Sequence, residues 1–381
     1  MTPCQPYSLF IKSVGAKCNL DCSYCYYLNN DSQHAFAMES DSVKRVIQNH
    51  IESQPIDSPV VDFIWHGGEP MLRGLDFYQI ALSYQKALGG KKRIANTIQT
   101  NGTLINERWA KFFSKHNFMV GVSIDGPNLI NDIGRIDQKG NSSFERTVRG
   151  IKHLTAQNVE FNTLSVINNR SYFHGKTIYQ FLKDSGSKYM QFQPCMDHEL
   201  DRRSDYDWSL SGEQWGRFLC DVFDEWCKED ITQIYVQFFE NCLMQLMDYP
   251  SQMCHHAETC GQQLMMEANG DVFSCDHYGY QEYKLGNGET TSLKNMANGA
   301  QQVEFGLNKR DSLSSQCLAC DFKPLCNGGC PKNRTDKTGT GESINQLCDG
   351  YAMFYRYALP RMLKMVEAMK NGYSPKYYLL F

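Results

Sequence analysis

The sequence predicts an α/β fold: a partial or full barrel of six βα units, then a small cysteine-rich domain. In the first half, short β-branched or aromatic runs alternate six times with segments of helical period. This alternation implies βαβ units and a parallel sheet with right-handed crossovers. From about residue 254, cysteines, glycines and turn residues multiply, which favours a small cluster-bound domain.

The predicted elements follow in chain order. Strands are predicted at 7–15, 60–68, 93–102, 118–126, 159–169 and 188–195, and helices at 41–53, 75–88, 106–116, 144–156, 173–184 and 212–228. The later region contains one legible hairpin, over 262–276, with Asn269-Gly270 as its two-residue turn. A last helix is predicted from Cys348 to about Met369.

Composition excludes several classes of function. The chain has 381 residues and a formal net charge of -4, and it lacks the clustered Lys and Arg of a nucleic-acid binder. It has no apolar run long enough for a transmembrane helix and no N-terminal secretory signal, so we expect a cytoplasmic protein without membrane contact. Because that compartment is reducing, its 16 cysteines point to metal or cluster ligation rather than disulfides.

The segment from Cys18 to Cys25 forms CxxxCxxC directly after the first strand. A [4Fe–4S] cluster usually takes four thiolates, so three leave one iron open. An open iron can chelate S-adenosylmethionine (SAM), and an electron from the cluster can then release a 5′-deoxyadenosyl radical. The alternative is a zinc loop or three structural cysteines, although no second CxxC or His completes a zinc site locally.

Three polar turns follow later strands and suggest a ligand-binding rim. They are 66–70 (HGGEP), 99–102 (QTNG) and 123–127 (SIDGP). Glycines in the first turn would let the backbone approach the amino group of SAM. Each turn taken alone favours a structural role, and it is their position after successive strands that indicates one ligand-binding rim.

A second group of eight cysteines lies in the C-terminal region. Its members are Cys254, Cys260, Cys275, Cys317, Cys320, Cys326, Cys330 and Cys348. Eight thiolates are what two fully ligated [4Fe–4S] clusters require, and such a cluster can accept the electron that a substrate radical loses. A pair of zinc sites is the alternative. Of the remaining cysteines, Cys220, Cys227 and Cys242 are predicted core residues. Cys195 ends a predicted strand and could face the cavity of the barrel.

Together these motifs resemble the anaerobic sulfatase-maturating enzymes, radical SAM proteins with a C-terminal SPASM domain. The resemblance runs nearly end to end and is carried by CNLDCSYCYY, HGGEP, IQTNGTL, GVSIDGP, GDVFSCDHY, CNGGCPKNR and LCDGY. It implies a partial (βα)6 barrel of the radical SAM type and a SPASM domain with two iron–sulfur clusters. It also implies oxygen-independent oxidation of a Cys or Ser in a sulfatase-type substrate to Cα-formylglycine.

The resemblance also implies the site residues. Cys18, Cys22 and Cys25 would hold the SAM cluster; Cys254, Cys260, Cys275 and Cys330 the first auxiliary cluster; and Cys317, Cys320, Cys326 and Cys348 the second, three [4Fe–4S] clusters in all. SAM contacts would fall on Tyr24, Gly68, Ser123, Arg135 and Met196. Asp276 matches the family's proton acceptor, and the alternative is an Asp that closes a hairpin turn. Tyr27 and His66 are candidates to line the same cavity and could equally be packing residues.

The expected organisation is a barrel over 1–235, a connecting helix over 236–253, the SPASM domain over 254–348 and a C-terminal helix and tail over 349–381. Expected partners are a protein or peptide substrate and an external low-potential electron donor of the flavodoxin or ferredoxin kind. One alternative is a sibling maturase that forms thioether or cyclophane crosslinks in a ribosomal peptide. The other is a non-catalytic electron-transfer or zinc-binding module.

Overall fold

The computed structural model describes residues 6–28, 37–198 and 206–381. The strands are β1 (Ser8–Ile11), β2 (Val60–Trp65), β3 (Arg93–Thr100), β4 (Met119–Ser123), β5 (Phe161–Ile167), β6 (Tyr189–Pro194), β7 (Tyr235–Val236), β8 (Gln263–Met266), β9 (Asp271–Phe273), β10 (Lys284–Asn287), β11 (Asp336–Lys337) and β12 (Ser343–Ile344). The helices are α1 (Ser40–Ser53), α2 (Gly74–Leu88), α3 (Glu107–Lys115), α4 (Asn128–Asn131), α5 (Phe144–Ala156), α6 (Gly175–Asp184), α7 (Gly212–Glu229), α8 (Gln237–Leu246), α9 (Leu293–Ala297), α10 (Ala300–Asp311), α11 (Ser315–Leu318), α12 (Lys323–Cys326) and α13 (Cys348–Lys370).

The six predicted strand–helix repeats are present as β1–β6 with α1, α2, α3, α5, α6 and α7. The strands end earlier than predicted because their last residues form the loops that carry polar side chains. The chain divides into two compact units, one built from 1–123, 136–161 and 260–308, the other from 124–135, 162–259 and 309–381. The predicted domain boundaries remain a prediction.

The sheet of the first unit places its strands in the order β10-β9-β8-β1-β2-β3-β4. β1 is parallel to β2 on one side and to β8 on the other, with Ile11 opposite Trp65 and Met266. The predicted hairpin is present as antiparallel β8 and β9, and Gly270 in its turn has φ +85°. Because β2 and β8 occupy both edges of β1, this strand cannot close a barrel. The partial-barrel prediction is confirmed.

The core of the first unit is mainly apolar and also contains buried polar side chains. Leu9, Ile11 and Phe63 are fully buried on neighbouring strands. Trp65 packs edge-on against Tyr78 of α2, with ring centroids 5.4 Å apart, and its indole N–H donates to Asn96 Oδ1 at 2.9 Å. Burial of this apolar surface is the main stabilising contribution to the unit.

In the second unit, β5, β6 and β7 form parallel pairs. Ser211 and Gln214 form a capping box at the start of α7, which explains why the helix begins there. Helices α7 and α13 meet at glycines: a Cβ on Gly350 would lie 2.0 Å from Gly212 O. Glycine is therefore required for these two backbones to approach each other. Among the described residues, no helix has the length and apolar character needed to cross a membrane.

Candidate active site

The CxxxCxxC loop lies in the first unit and is fixed by its own hydrogen bonds. Cys22 is buried, and Cys18 and Cys25 are half-buried. The Cys25 N–H donates to Cys22 O at 3.1 Å, and the Leu20 N–H donates to Cys18 Sγ at 3.4 Å. Asn101, which follows β3, donates through Nδ2 to the same sulfur at 3.7 Å. The three thiols are thus presented by one ordered loop.

A buried carboxylate braces this loop. Glu69 of the HGGEP turn is fully buried, and Oε1 accepts from the Thr100 hydroxyl at 2.8 Å, while Oε2 accepts from the Asn101 N–H at 2.8 Å. Its own N–H donates to Lys17 O, next to Cys18, at 2.9 Å. Glu69 therefore ties the ends of two strands to the cysteine loop.

The two glycines of HGGEP are required by packing within the protein. A Cβ on Gly67 would lie 2.1 Å from Cδ of Lys12, and Gly67 has φ +80°. A Cβ on Gly68, at φ +46°, would lie 2.2 Å from Lys17 O. We expect these glycines to open the backbone to a ligand. Packing gives a second reason for glycine at both positions: a side chain at Gly67 would clash with the Lys12 side chain, and one at Gly68 would clash with the loop before Cys18.

Asp276 lies half-buried in a polar cluster of the first unit. Its Oδ1 forms an ion pair with Lys12 Nζ, and its Oδ2 accepts from the Tyr26 hydroxyl at 2.5 Å. Lys12 Nζ lies 3.1 Å from His66 Nδ1 and 4.2 Å from the centroid of the Tyr27 ring. The structure therefore brings together Asp276, His66 and Tyr27, which the sequence suggested, and adds Lys12 and Tyr26.

Electrostatics fix the protonation states of this cluster. Burial alone would raise the pKa of Asp276, but the charge of the neighbouring Lys12 lowers this pKa below its usual value. Burial, and then the charge of Lys12, lowers the pKa of His66 to about 4. Burial and the charge of Asp276 raise the pKa of Tyr26. At neutral pH the cluster therefore holds a carboxylate, a neutral imidazole and a phenol.

Tyr27 joins this cluster to a second carboxylate. Its hydroxyl donates to Glu267 Oε2 at 2.7 Å, and Glu267 is buried directly after β8. Burial, and then the charge of Glu267, raises the pKa of Tyr27, so this residue stays a hydrogen-bond donor. The contact fixes the aromatic ring over which the Lys12 ammonium lies.

The predicted SAM contacts fall in both units. Tyr24, Gly68 and Ser123 belong to the first unit, where Gln99 Nε2 donates to Ser123 Oγ at 3.0 Å. Arg135 and Met196 belong to the second, where Arg135 is buried with Nη1 3.9 Å from Asp125 Oδ1. Their convergence on one ligand stays a prediction.

Two of the auxiliary-cluster cysteines lie in the first unit. Cys260 and Cys275 are both half-buried. Gln302 Nε2 donates to Gly261 O at 2.7 Å and to Ser274 O at 3.0 Å, which are the neighbours of the two cysteines in sequence. One buried amide therefore fixes the backbone beside both thiols.

The other auxiliary-cluster cysteines lie in the second unit, in two sets. Burial raises the pKa of Cys326 to about 12, and the charges of Cys348, Cys317 and Cys320 add to this rise. Although the residue Cys254 is exposed as a whole, burial of its thiol raises its pKa to about 11, and the charge of Cys330 adds. These groupings match the interleaved ligand sets, whose roles stay predictions.

The cysteines outside these sets differ in burial. Cys242 is fully buried and Cys195 is 5% exposed, whereas Cys220 and Cys227 are half-buried on α7. Cys4 lies outside the described residues.

Within the described ranges, no three His, Cys, Asp or Glu side chains are grouped so as to hold a single metal ion.

Sequence reasoning missed Lys12 and Tyr26, and it gave Glu69 no role beyond its place in the HGGEP turn. Lys12 follows the apolar strand SLFI, where a lysine usually marks the exposed end of a strand. The one available signal was its position at the carboxyl end of β1, where βα barrels place their functional residues.

Comparison with known families agrees with this geometry. Residues 13–182 match the family model described as the Radical SAM superfamily, and residues 254–321 match the model described as an iron–sulfur cluster-binding domain. The fold and the three-cysteine loop therefore define a radical SAM enzyme with a SPASM domain. The alternative of a non-catalytic module is removed, and the predicted cofactor classes, iron–sulfur clusters and SAM, are confirmed.

Similar proteins identify one family within the radical SAM enzymes. The chain is 38% identical to the serine-type anaerobic sulfatase-maturating enzyme of Bacteroides thetaiotaomicron, over 97% of this chain and 94% of that one. It is 31% identical to the cysteine-type enzyme of Clostridium perfringens, over 96% and 100%. A solved structure of native anSMEcpe with bound AdoMet and the Cp18Cys peptide matches with TM-score 0.88 and 30% identity, over 96% and 100%. This chain belongs to the anaerobic sulfatase-maturating enzymes, as the sequence motifs predicted.

Proposed function

We propose that this enzyme oxidises a Cys or Ser residue of a sulfatase-type protein or peptide to Cα-formylglycine without oxygen. The observation that carries the proposal is the half-buried Asp276 carboxylate, which Lys12 and Tyr26 hold in the same unit as the CxxxCxxC loop. Family membership supports it, since the similar enzymes include both serine-type and cysteine-type maturases.

The oxidation removes one hydrogen atom, one proton and one electron from the Cβ and its heteroatom. When bound, SAM and the loop cluster supply the radical that takes the hydrogen atom, and an auxiliary cluster accepts the electron. Only the proton is left to the protein side chains. A serine gives the aldehyde directly, whereas a cysteine gives a thioaldehyde that water hydrolyses with release of hydrogen sulfide.

Asp276 is the proposed proton acceptor. Each carboxylate oxygen has two lone pairs, so the contacts of Oδ1 with Lys12 and of Oδ2 with Tyr26 leave acceptor capacity at both atoms. The lowered pKa keeps this carboxylate ionised at neutral pH. Loss of the Cβ hydrogen makes the neighbouring hydroxyl or thiol more acidic, because the radical centre delocalises the negative charge. A weakly basic carboxylate is therefore sufficient.

The cofactor ligands are proposed as the motifs indicate. Cys18, Cys22 and Cys25 hold the SAM cluster, and the eight later cysteines hold two auxiliary clusters. The ordered loop and the grouping of thiols around Cys326 support these assignments. SAM contacts are proposed at Tyr24, Gly68, Ser123, Arg135 and Met196.

Partners and location complete the proposal. A peptide substrate is supported by the similar structure that contains the Cp18Cys peptide. We propose that a low-potential carrier such as flavodoxin or ferredoxin supplies the reducing electron and that the enzyme acts in the cytoplasm. The proposed organisation keeps a barrel over 1–235 and an auxiliary-cluster domain over 254–348.

The function is tested with the reduced, anaerobically reconstituted enzyme, SAM and peptides carrying C-x-P-x-R or S-x-P-x-R. We expect 5′-deoxyadenosine together with an aldehyde that reacts with a hydrazide. A peptide with Ala at the reacting position is the matched control and should give no aldehyde. The two reactive peptides also establish whether Cys or Ser is preferred.

The outcomes separate the competing functions. If neither peptide gives an aldehyde although SAM is cleaved, the formylglycine proposal is wrong and the crosslinking alternative is favoured. That alternative predicts loss of two hydrogens from a precursor peptide without an aldehyde. Absence of 5′-deoxyadenosine under strict anaerobiosis would contradict radical SAM chemistry itself.

A further inference from the structure

Lys12 is a buried cation that the proposed reaction does not use as a reactant. It directly follows β1, and its side chain is fully buried. Lysine is almost never fully buried unless its charge is paired. A position at the carboxyl end of a parallel strand, beside the proposed proton acceptor, therefore calls for a specific function.

The Lys12 ammonium contacts three groups of the first unit. It forms the ion pair with Asp276 Oδ1, lies 3.1 Å from His66 Nδ1 and lies 4.2 Å from the Tyr27 ring centroid. An ammonium has three N–H donors and no lone pair, so it can only donate. His66 Nδ1 must therefore accept, and the proton of the neutral imidazole is on Nε2.

Packing against Gly67 also fixes the aliphatic part of the Lys12 side chain. A Cβ on Gly67 would lie 2.1 Å from Cδ, 3.0 Å from Cγ and 3.1 Å from Cβ of Lys12. The missing side chain of Gly67 thus provides the space through which the lysine passes. This fit fixes where the ammonium lies relative to Asp276 and His66.

The proposed oxidation places two successive demands on the site. The substrate hydroxyl or thiol first gives up a proton, which requires an acceptor, and Asp276 offers one. The product carbonyl oxygen, or the thioaldehyde sulfur, has lone pairs only and requires a donor. The Nε2–H of His66 is such a donor, and it exists because Nδ1 is occupied by Lys12.

We propose that Lys12 is a positioning residue of this oxidation: one ammonium orients the Asp276 carboxylate and fixes His66 as an Nε2–H donor. The inference rests on the proposed function and goes beyond it. Lys12 acts after hydrogen-atom abstraction, when proton and electron leave the substrate radical. Removing its charge should therefore uncouple radical formation from product formation.

The test uses Lys12→Met in the reconstituted holoenzyme, with a peptide deuterated at the Cβ of the reacting serine or cysteine. Lys44→Met is the matched control, since Lys44 is exposed on α1. We expect Lys12→Met to bind iron and to transfer deuterium to 5′-deoxyadenosine within about twofold of wild type. Its aldehyde yield should fall at least about tenfold, within the range for acid–base groups. Lys44→Met should match wild type in all three measurements.

Lys12→Gln is the second variant, in case the loss of every hydrogen-bond donor at this position in Lys12→Met prevents folding. It keeps a hydrogen-bond donor of similar length but removes the charge, and the same separation of deuterium transfer from aldehyde is expected. An aldehyde yield within twofold of wild type would overturn the inference. A parallel fall of both yields, or loss of iron in both variants, would do so too, since either shows a general structural role. If wild type itself gives no aldehyde, the proposed function fails instead.

Discussion

Gly67→Ala offers a quantitative test of the buried cluster. Gly67 has φ +80°, and a Cβ there would lie 2.1 Å from Cδ of Lys12. The left-handed conformation alone costs about 1–2 kcal/mol for a residue with a Cβ. The clash also displaces Lys12, and removing one partner of a buried ion pair costs about 3–5 kcal/mol. The sum is about 4–7 kcal/mol, a large share of the about 5–15 kcal/mol that stabilises a typical protein.

Gly90→Ala is the matched control, because Gly90 has φ +59° and no atom within 4 Å of the added Cβ. Both variants carry the conformational cost, so the difference between them isolates the displacement of Lys12. Urea midpoints of anaerobically prepared protein, compared at equal iron content, should separate the variants by the equivalent of at least about 2 kcal/mol, a lower bound that allows for relaxation. Equal midpoints would refute the view that Gly67 exists to admit the lysine.

Three other changes have defined outcomes. Asp276→Asn should retain SAM binding and cleavage but lower the aldehyde yield about 100-fold or more, as measured with hydrazide, and an unchanged yield would remove this residue from the acceptor role. Glu69→Gln should lower the unfolding midpoint and the iron content, because each hydrogen bond to a buried carboxylate contributes about 1.5–3 kcal/mol; unchanged iron content would contradict the bracing role. His50 is fully buried, and burial lowers its pKa to about 4, whereas its pKa in the unfolded chain is about 6.5. The stability that neutral His50 contributes is therefore present above pH 6.5 and is lost as the pH falls towards 4, because the unfolded chain binds the proton first. At pH 5 the loss is about 2 kcal/mol, and His50→Asn should flatten this part of the profile of urea midpoint against pH.

The βα repeats were predictable because their signals are local. Hydrophobic period, turn glycines and caps such as Ser211 set each strand and helix within a few residues of its observed bounds. The pairing of β1 with β8 was not predictable, since contacts between distant segments leave no periodic pattern in either one. The hairpin was recognised from Asn269-Gly270, but its neighbour in the sheet was not.

In the candidate site, too, some residues could be predicted from the sequence and others could not. The density of cysteines along the chain indicated cluster ligation, whereas the division into ligand sets and the role of Asp276 beside Cys275 came from the family resemblance and stay predictions. Lys12 was not predictable, because strand alternation places Leu9 and Ile11 inward and assigns the next position to the opposite face. The chain leaves the strand at Lys12, and only the fold shows that this side chain is buried.

The pairing of β1 with β8 has a consequence for how the enzyme is assembled. Ser8 is synthesised before its partner Gln263, which lies much further along the chain. Until then one edge of β1 has no partner, and closing so long a loop is slow. Asp276 follows that late hairpin, so Lys12 acquires its counter-ion only when the region that bears Cys260 and Cys275 docks. Before that step the nascent chain lacks the carboxylate that pairs with Lys12, so the proposed proton acceptor and the residue proposed to orient it come together in the same step.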